Sequence, residues 1–316
     1  MRDAFIKSIY KVTKKNNEVL CMVGDIGAFL LRHYIKDFPN NFYNLGAAEA
    51  NLVGVAAGLA MSGKVPFVYT ITPFITSRCY EQIKVDVCYN NSNVKLVGVG
   101  SGVSYGTMGS THHSLEDVAI MRVLPNMIII APSDPQEVEE AVFAAVKYQG
   151  PTYIRLTLSS FSLDYDRGKF EIGKARIVKK GIDAAIIATG DMVTIAIEAA
   201  ETLKKDNINC YVVNMHTIKP IDDAIVKKLS EECKAIVSIE EHSTIGGLGS
   251  AVSSILLQHP KNKALYKIMG FNDIFCKEYS SDKLKIFEEY GLSANHLAKA
   301  VRSLYNYDKP DYKKRR

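Results

Sequence analysis

Two series of short apolar runs, each alternating with helical patterns, constrain the fold of this chain most strongly. The runs of the first series have the length and the β-branched composition of buried strands. They cover residues 18–25, 65–70, 94–100, 127–132 and 151–156. Helix patterns lie between them, in the Ala-rich stretch after Glu49 and in residues 77–91, 114–124 and 134–149. Because strands that alternate with helices build parallel sheets, the first series predicts a doubly wound α/β domain.

A second series of the same kind follows a charged, turn-rich stretch and predicts a second, smaller α/β domain. Its strand runs cover residues 184–190, 208–218, 235–241 and 264–271. Its helix patterns lie near residues 193–205 and 221–230, after "GGLGS", and at 293–305. We therefore predict an α/β protein with two doubly wound domains and mostly parallel sheets. The predicted boundaries are a first domain at residues 1–165, a linker at 166–183, a second domain at 184–307 and a basic tail at 308–316.

The composition excludes several classes of protein. The net charge is +5, but the last eight residues, "KPDYKKRR", contribute +4 of it, so the excess lies in a tail and does not predict a nucleic-acid interface. No apolar run reaches about 18 residues without a charge or a break, which predicts no membrane span. The six cysteines show no metal-site spacing and no CxxC. Since no secretory signal is visible, we expect a cytoplasmic protein with reduced thiols.

A single carboxylate stands out in the apolar stretch "YNLGAAEANLVGVAAGLAMSGKVPFVYT". This is Glu49, and mostly small or apolar residues flank it on both sides. A carboxylate that leaves water is usually paired, protonated or functional. The alternative is an ordinary residue in the first turn of the Ala-rich helix, where a negative charge is stabilising. The stretch by itself leaves both interpretations open.

Two adjacent histidines, His112 and His113, follow the third predicted strand and a glycine-rich loop, in the segment "GSTHHSLEDVAIMRVLPNM". Ligands of open α/β sheets bind beyond the carboxyl ends of the strands, so a proton transfer or a hydrogen bond to an oxyanion is one interpretation. The alternative is a helix entry, with Ser114 as the N-cap and Asp117 three residues later. Both interpretations can hold together.

Three other side chains in loops have both a structural and a functional interpretation. Phe74 stands in a Thr/Pro/Ser loop after the second strand, an unusual place for a large apolar ring. It either stacks on a flat ligand or plugs the core, and the loop by itself favours the core. His216 and His242 each follow a strand of the second series. We interpret both histidines as structural.

Five motifs, in order along the chain, resemble the C-terminal half of the transketolase family. They are "NLGAAEANLVGVAAGLA", "FITSRCYEQI", "GSTHHSLEDVAIMRVLPNM", "IAPSDPQEVEEAV" and "NMHTIKPID…EEHSTIGGLGSAV". The resemblance extends to about residue 305. It implies that the two predicted domains are the family's pyrimidine-binding domain and its C-terminal domain, and that the cofactor is thiamine diphosphate.

The resemblance also implies roles for individual residues. In this family a glutamate at the position of Glu49 hydrogen-bonds a ring nitrogen of the aminopyrimidine and favours its imino tautomer, which then takes the proton of the thiazolium carbon. Phe74 matches the aromatic residue that stacks on the pyrimidine. Asp25, in "GDIG", and Arg78, in "FITSRCYEQI", are further candidates for cofactor binding. His112 matches the histidine that contacts the substrate near its reacting carbonyl group.

The family's diphosphate and Mg²⁺ domain is not recognisable in the sequence. That domain carries Gly-Asp-Gly followed at a distance by Asn, and the nearest strings here are "VGDIGAF" and "ATGDMVT". The resemblance therefore implies the C-terminal subunit of a split, two-chain transketolase, with no metal ligand of its own. We expect a separate partner subunit to bind the diphosphate and Mg²⁺, so that the cofactor lies across the interface. Two copies of each chain are expected, paired through the pyrimidine-binding domains.

The substrate side departs from ordinary transketolases. Where the family has an aspartate that contacts a substrate hydroxyl, this chain has Met108, and His113 replaces a common glutamine. Arg2 matches a retained residue of the family's sugar-phosphate clamp. Three other clamp positions have lost their polar donor, namely Phe29 for a serine, Gly100 for a histidine and Leu158 for an arginine. Since these losses weaken phosphate binding, we expect a modified or non-standard sugar as the substrate.

The main functional prediction is the transfer of a two-carbon ketol unit from a ketose donor to an aldehyde acceptor. The histidine motif and "NMHTIKPID" favour it. One alternative is a thiamine-dependent subunit that decarboxylates a 2-oxoacid and transfers an acyl unit, which CO₂ release from pyruvate distinguishes. Another is a catalytically silent scaffold subunit, against which Glu49, Phe74 and His112 argue. An independent ligand-binding module in the second domain has no motif in its favour.

Overall fold

The structure, a computed structural model, describes residues 1–307 and contains two α/β units built around two separate sheets. The predicted basic tail at 308–316 lies outside the described residues. The helices are α1 (Arg2–Lys15), α2 (Arg32–Asp37), α3 (Glu49–Met61), α4 (Thr72–Ile75), α5 (Tyr80–Gln82), α6 (Asp117–Arg122), α7 (Pro135–Lys147), α8 (Met192–Lys204), α9 (Asp223–Glu232), α10 (Leu248–Gln258), α11 (Lys283–Glu289) and α12 (Ala294–Tyr305). The strands are β1 (Val19–Val23), β2 (Phe42–Asn44), β3 (Val65–Ile71), β4 (Lys95–Val99), β5 (Ile128–Ile130), β6 (Thr152–Leu156), β7 (Arg176–Lys179), β8 (Ala184–Ala188), β9 (Cys210–Asn214), β10 (Thr217–Lys219), β11 (Ala235–Ser243) and β12 (Leu265–Phe271). A π-helical segment, Ile83–Tyr89, continues α5, and 3₁₀ segments cover Pro39–Asn41 and Gly106–Thr111.

The first sheet has the strand order β10–β5–β6–β4–β3–β1–β2. Strands β1 to β6 run parallel to one another. The central strands are buried along almost their whole length, because helices cover both faces of the sheet. Helices α1 and α7 pack on one face, and α3, α6 and the π-helical segment pack on the other. The predicted doubly wound first domain is therefore confirmed.

The second sheet has the order β12–β11–β8–β9–β7, and helices α8 and α12 cover one face while α9 and α10 cover the other. Its four strands β8, β9, β11 and β12 are parallel, which confirms the second α/β domain. The edge strand β7 lies inside the segment predicted as a linker and pairs antiparallel with β9. Its charged sequence did not suggest a strand, because an edge strand does not need a continuous apolar run.

A segment of the second domain contributes a strand to the first sheet. The run at residues 208–218, predicted as one strand, is two strands: β9 ends at Asn214 in the second sheet, and β10 pairs antiparallel with β5 of the first. His216 lies between them, and its ring stacks on Phe170 with centroids 4.3 Å apart. The single-strand prediction was wrong because the apolar pattern of the run reports burial and cannot show that two different sheets provide it.

The N-terminus of α6 differs from the predicted capping arrangement. The helix begins at Asp117, and the residue before it is Glu116, so Ser114 is not its N-cap. The Asp117 carboxylate instead faces the interior. There the Tyr153 hydroxyl and Arg155 Nε each donate a hydrogen bond to its Oδ2 at 2.7 Å. The carboxylate pairs with the buried Arg155 guanidinium and does not bind the backbone N–H groups at the start of the helix.

Arg155 and Asp117 form a buried ion pair at the boundary between the domains. Arg155 is 4% exposed and Asp117 is fully buried. Arg155 Nη2 also donates to the main-chain carbonyl of Glu241 in β11 at 2.9 Å, so one guanidinium joins β6 and α6 to the second domain. Burial raises the pKa of the Asp117 carboxyl, but the Arg155 charge and the two hydrogen bonds bring it below its ordinary value.

The six cysteines are free and lie in the interior of the fold. Burial raises the pKa of the Cys21 and Cys79 thiols to about 12, so these side chains act as small packing groups. Within residues 1–307, no helix is both long enough and apolar enough to cross a membrane.

Replacing Arg155 with Met should destabilise the protein, because it leaves the Asp117 carboxylate buried without its ion partner. We expect the free energy of unfolding to fall by about 3–5 kcal/mol, measured by urea denaturation of the purified chain. Arg302→Met is the matched control, since it breaks the exposed ion pair with Asp206, and exposed pairs contribute at most about 1 kcal/mol. Equal losses in the two variants would contradict the importance of the buried pair.

Candidate active site

The predicted site residues meet at the carboxyl edge of the first sheet. Asp25 follows β1, Phe74 lies in α4 directly after β3, and His112 follows β4 and the 3₁₀ segment Gly106–Thr111. Glu49 begins α3, which follows β2. Because open α/β sheets bind ligands at this edge, these four elements form one candidate site.

Glu49 is a buried carboxylate with one strong partner. It is 3% exposed, and Arg78 Nη1 donates a hydrogen bond to its Oε2 at 2.6 Å. Gly24, after β1, approaches it so closely that a Cβ there would lie 3.3 Å from the Glu49 Cγ. Among residues 1–307, no group donates a hydrogen bond to the other oxygen, Oε1. The charge is therefore paired, and one acceptor oxygen stays available.

Arg78 connects Glu49 to the aromatic ring of the site. Its guanidinium carbon lies 4.2 Å from the centroid of the Phe74 ring, a cation–π contact. Phe74 is only half-buried, which argues against the interpretation as a core plug. Its ring also meets that of His112 edge to face, with centroids 5.2 Å apart. Glu49, Arg78, Phe74 and His112 thus form one continuous row of contacts.

A tight turn positions His112. Gly109, inside the 3₁₀ segment, has φ +73°, and its carbonyl accepts from the His112 N–H at 2.9 Å. The His112 Nδ1 lies 3.0 Å from Thr111 Oγ1, whereas its Nε2 has no hydrogen-bond partner in the described part of the chain. A half-buried imidazole with one open nitrogen can exchange a proton or a hydrogen bond with a bound carbonyl compound.

Asp25 lies in the loop after β1, which the side chain of Asn44 joins to the loop before α3. It is exposed and adopts φ +54°. Its backbone N–H donates to Asn44 Oδ1 at 3.0 Å, and the Gly46 N–H donates to the same oxygen at 3.0 Å. Asn44 thereby ties the loop after β1 to the loop that leads to Glu49. The cofactor-binding role predicted for Asp25 stays a prediction.

The predicted substrate residues are not all presented to the site. His113 is 5% exposed, and burial lowers its pKa. This burial argues against the predicted substrate contact of His113. Met108 is 54% exposed. The Arg2 side chain is 46% exposed, and its ion contact with Asp3 is long, at 3.8 Å.

The three positions predicted to have lost a donor of the sugar-phosphate clamp differ in exposure and surroundings. Phe29 is 76% exposed with the Arg32 guanidinium 4.4 Å from its ring centroid, and Leu158 is 37% exposed. Gly100 has φ +74°, and a Cβ there would lie 2.0 Å from the ring of Tyr105. The sequence did not predict this packing of Tyr105 against Gly100. The available signal was a glycine at a strand end with a tyrosine five residues later.

His216 and His242 lie outside this row of contacts and are structural, as predicted. His216 is buried, with Nδ1 3.0 Å from Thr217 Oγ1. His242 is buried in β11, and its Nε2 accepts from the Ala119 N–H at 3.2 Å. Each ring therefore satisfies backbone or hydroxyl partners at the boundary between the domains.

Comparison with known protein families shows which family the chain belongs to. The family model of the transketolase pyrimidine-binding domain matches residues 1–161, and that of the transketolase C-terminal domain matches residues 173–297. The chain belongs to the transketolase family. The two predicted domain identities are thereby confirmed, and the row from Glu49 to His112 lies within the pyrimidine-binding domain of this transketolase chain.

Similar proteins come from transketolases made of separate subunits. A subunit of the apulose-4-phosphate transketolase of Phocaeicola vulgatus is 36% identical over 95% of this chain and 96% of its own length. A 6-deoxy-6-sulfo-D-fructose transketolase subunit of Clostridium sp. is 35% identical over 95% and 93%. A solved split-gene transketolase, described as an inactive β4 tetramer, is 34% identical with a TM-score of 0.87 and covers 98% of both chains. The prediction of a split transketolase chain is confirmed.

The transketolase family implies thiamine diphosphate and a divalent metal ion. The residues of the site fit the aminopyrimidine half. The Arg78 guanidinium is a planar group with N–H donors. Glu49 already binds it by a hydrogen bond, and Phe74 contacts it through its ring. The open Oε1 of Glu49 and the exposed part of Phe74 can make the same two contacts to an aminopyrimidine. In residues 1–307, no group of three or more His, Cys, Asp or Glu side chains is placed to hold a metal ion.

Stability should fall in mild acid because of His216. Burial lowers its pKa to about 4, whereas in the unfolded chain a histidine titrates near pH 6.5. Between these values the unfolded chain binds a proton that the folded chain does not. The free energy of unfolding should therefore decrease by about 3 kcal/mol as the pH falls from about 6.5 to about 4, and this contribution is constant above that range.

Urea denaturation as a function of pH measures this dependence. In His216→Gln, the free energy of unfolding should lose most of its dependence on pH. In His33→Gln, which changes an exposed histidine, this dependence should be unchanged. An unchanged slope in His216→Gln would contradict the assignment.

Proposed function

We propose that this chain is the pyrimidine-binding subunit of a thiamine diphosphate-dependent transketolase that transfers a two-carbon ketol unit from a ketose to an aldehyde. The observation that carries the proposal is the row of contacts from Glu49 through Arg78 and Phe74 to His112, at 2.6, 4.2 and 5.2 Å. A silent scaffold has no need of a buried carboxylate with an open oxygen beside a half-exposed ring and an open imidazole nitrogen.

Each residue of the row has a defined task in this proposal. Bound thiamine diphosphate supplies a carbon nucleophile that also accepts electrons. Glu49 Oε1 holds the ring nitrogen of the aminopyrimidine and sets its proton state. Arg78 keeps the carboxylate aligned through Oε2, Phe74 orients the pyrimidine by stacking, and Asp25 organises the rim. His112 Nε2 hydrogen-bonds the carbonyl oxygen of the sugar and stabilises the charge that develops there.

A partner subunit completes the site. The chain supplies the pyrimidine side, while the residues described contain no cluster fit for a metal ion, so we assign the diphosphate and Mg²⁺ to an N-terminal transketolase-like subunit. The similar chains are named as subunits of transketolases. An assembly of two copies of each chain is proposed, in which the cofactor lies between unlike subunits. A cytoplasmic location also stays a prediction.

An exposed apolar surface supports pairing of two pyrimidine-binding domains. Val55 and Met61 on α3 and Val85 and Tyr89 on the π-helical segment are 38–85% exposed. Helix α3 and the π-helical segment pack against each other, so these four side chains belong to neighbouring elements. Burying such a surface between two copies removes apolar area from water.

The substrate is proposed to be a modified or non-standard sugar. Met108, Phe29 and Leu158 present no hydrogen-bond donor from their side chains, and Arg2 is the retained cation. The similar subunits are named for apulose-4-phosphate and for 6-deoxy-6-sulfo-D-fructose. The thiamine-dependent decarboxylation of a 2-oxoacid is the competing function, and release of CO₂ from pyruvate by the assembled complex would establish it.

Replacing Glu49 with Gln or Ala should abolish ketol transfer while the chain stays folded. Gln keeps the shape of the side chain but cannot set the proton state of the aminopyrimidine. The complex with the partner subunit, thiamine diphosphate and Mg²⁺ is given fructose 6-phosphate, xylulose 5-phosphate, 6-deoxy-6-sulfofructose and pyruvate. The donor adduct on the cofactor is followed by mass spectrometry, and we expect the variants to lose at least about 10³-fold in rate.

The matched control is Glu171→Gln, which changes an exposed glutamate and should leave the rate unchanged. Circular dichroism and urea denaturation report whether each variant is folded. Near-normal turnover by a folded Glu49→Gln complex would refute the proposed function.

The isolated chain should bind thiamine diphosphate weakly and show no activity, because the proposed diphosphate and Mg²⁺ ligands belong to the partner. Titration calorimetry of the chain with and without the partner subunit measures this. The solved relative described as an inactive β4 tetramer is in line with this expectation. Tight, Mg²⁺-dependent binding by the chain alone would contradict the division of the cofactor between two subunits.

A further inference from the structure

We propose that Tyr105 determines substrate specificity, by donating a hydrogen bond from its phenolic hydroxyl to a tetrahedral oxyanion, a phosphate or a sulfonate, at the far end of the sugar. The inference rests on the proposed transketolase function and adds the group by which the substrate is selected.

The ring of Tyr105 occupies the space of a side chain at the end of β4. Gly100 follows this strand with φ +74°, and an added Cβ would lie 2.0, 2.5 and 2.9 Å from three carbons of the Tyr105 ring. Position 100 must therefore be glycine for the Tyr105 ring to occupy this space. Because the carboxyl ends of these strands form the ligand-binding edge, the ring stands at a ligand-facing position.

Tyr105 is a second aromatic neighbour of His112, beside Phe74. Its ring meets His112 edge to face with centroids 5.8 Å apart, and His112 in turn meets Phe74 at 5.2 Å. His112 therefore contacts both the aromatic ring assigned to the cofactor and Tyr105. In the proposed function the carbonyl group of the sugar reacts beside His112, and Tyr105 is the neighbour of His112 that is left for the rest of the sugar.

The Tyr105 hydroxyl is available to a ligand and lies within the field of Arg2. Tyr105 is half-buried, and its hydroxyl has no hydrogen-bond partner among residues 1–307. Burial raises the pKa of Tyr105, and the charge of Arg2 lowers it. The same two effects act on the pKa of Tyr69, whose buried hydroxyl likewise lacks a partner in the described part of the chain.

Arg2 is free to bind an anion. Its contact with Asp3 is 3.8 Å long and its side chain is 46% exposed. It borders a surface cavity of about 480 Å³ that Lys7 and Leu158 also line, together with the carboxylates Asp3 and Glu139. A guanidinium binds a tetrahedral oxyanion through two N–H groups, and a tyrosine hydroxyl adds a third donor. The side chains of Phe29 and Leu158 have no hydrogen-bond donor. The Tyr105 hydroxyl therefore contributes to the recognition of the phosphate or sulfonate.

Tyr105→Phe removes the hydroxyl and keeps the ring that packs against Gly100. The complex with the partner subunit, thiamine diphosphate and Mg²⁺ is assayed with fructose 6-phosphate, 6-deoxy-6-sulfofructose and fructose. We expect kcat/KM for a donor that carries the oxyanion to fall about tenfold through KM, with kcat within about twofold and no change for fructose. Tyr307→Phe, at an exposed tyrosine, is the control and should change nothing.

The pattern across the donors decides the outcome. A loss with fructose 6-phosphate alone identifies a phosphate, a loss with the sulfonate alone identifies a sulfonate, and a loss with both supports recognition of any tetrahedral oxyanion. An unchanged KM for both anionic donors, or an equal loss with fructose, overturns the proposal.

A binding measurement separates this inference from the proposed function. Sorbitol 6-phosphate, 6-deoxy-6-sulfosorbitol and sorbitol contain no carbonyl group, so their dissociation constants for the complex do not depend on turnover. Tyr105→Phe should weaken binding of an anionic polyol about tenfold and leave that of sorbitol unchanged. Equal affinities of the wild-type complex for all three polyols would overturn the role of Tyr105. Selective binding without any ketol transfer would instead refute the proposed function.

Discussion

The guanidinium of Arg155 is the point on which the arrangement of the two domains depends. It is buried against Asp117 on one side and donates to the Glu241 carbonyl of β11 on the other. Two opposite charges are tolerated in the interior because Asp117 Oδ2 accepts from both Arg155 and Tyr153, and removing one charge leaves the other buried without its ion partner. The Arg155 guanidinium therefore joins the first sheet, which carries the proposed site residues, to the second sheet, which carries none of them.

This joint places the second domain against the loop that carries His112. The side chain of Glu241 accepts from the Val103 N–H at 2.7 Å, and the Ser243 N–H donates to the Leu115 carbonyl at 2.7 Å. A Cβ at Gly109 would lie 2.6 Å from the Tyr279 ring. The loop between β4 and α6 is thus held on both sides of His112 by the C-terminal domain. A shared sheet, through β10, adds to this rigidity.

The site combines a fixed half and an open half. Arg78 saturates one oxygen of Glu49 and covers the Phe74 ring, which removes the cost of an unpaired buried charge. The remaining oxygen of Glu49, the His112 Nε2 and the Tyr105 hydroxyl have no partner among residues 1–307. A set of open polar groups along one sheet edge is what an elongated, polyhydroxylated ligand requires.

The sequence predicted the two α/β domains, because buried parallel strands leave continuous apolar runs. From Glu49 and the neighbouring motifs it also predicted one site, whose side chains Glu49, Arg78, Phe74 and His112 do lie in contact. It did not determine the exchange of β10 between sheets, the true start of α6 at Asp117, the burial of His113 or the place of Tyr105. Each of these depends on contacts between distant segments, such as Arg155 with Asp117 or Tyr105 with the space at Gly100. Apolar periodicity reports that a residue is buried, and only the tertiary structure decides against which partner.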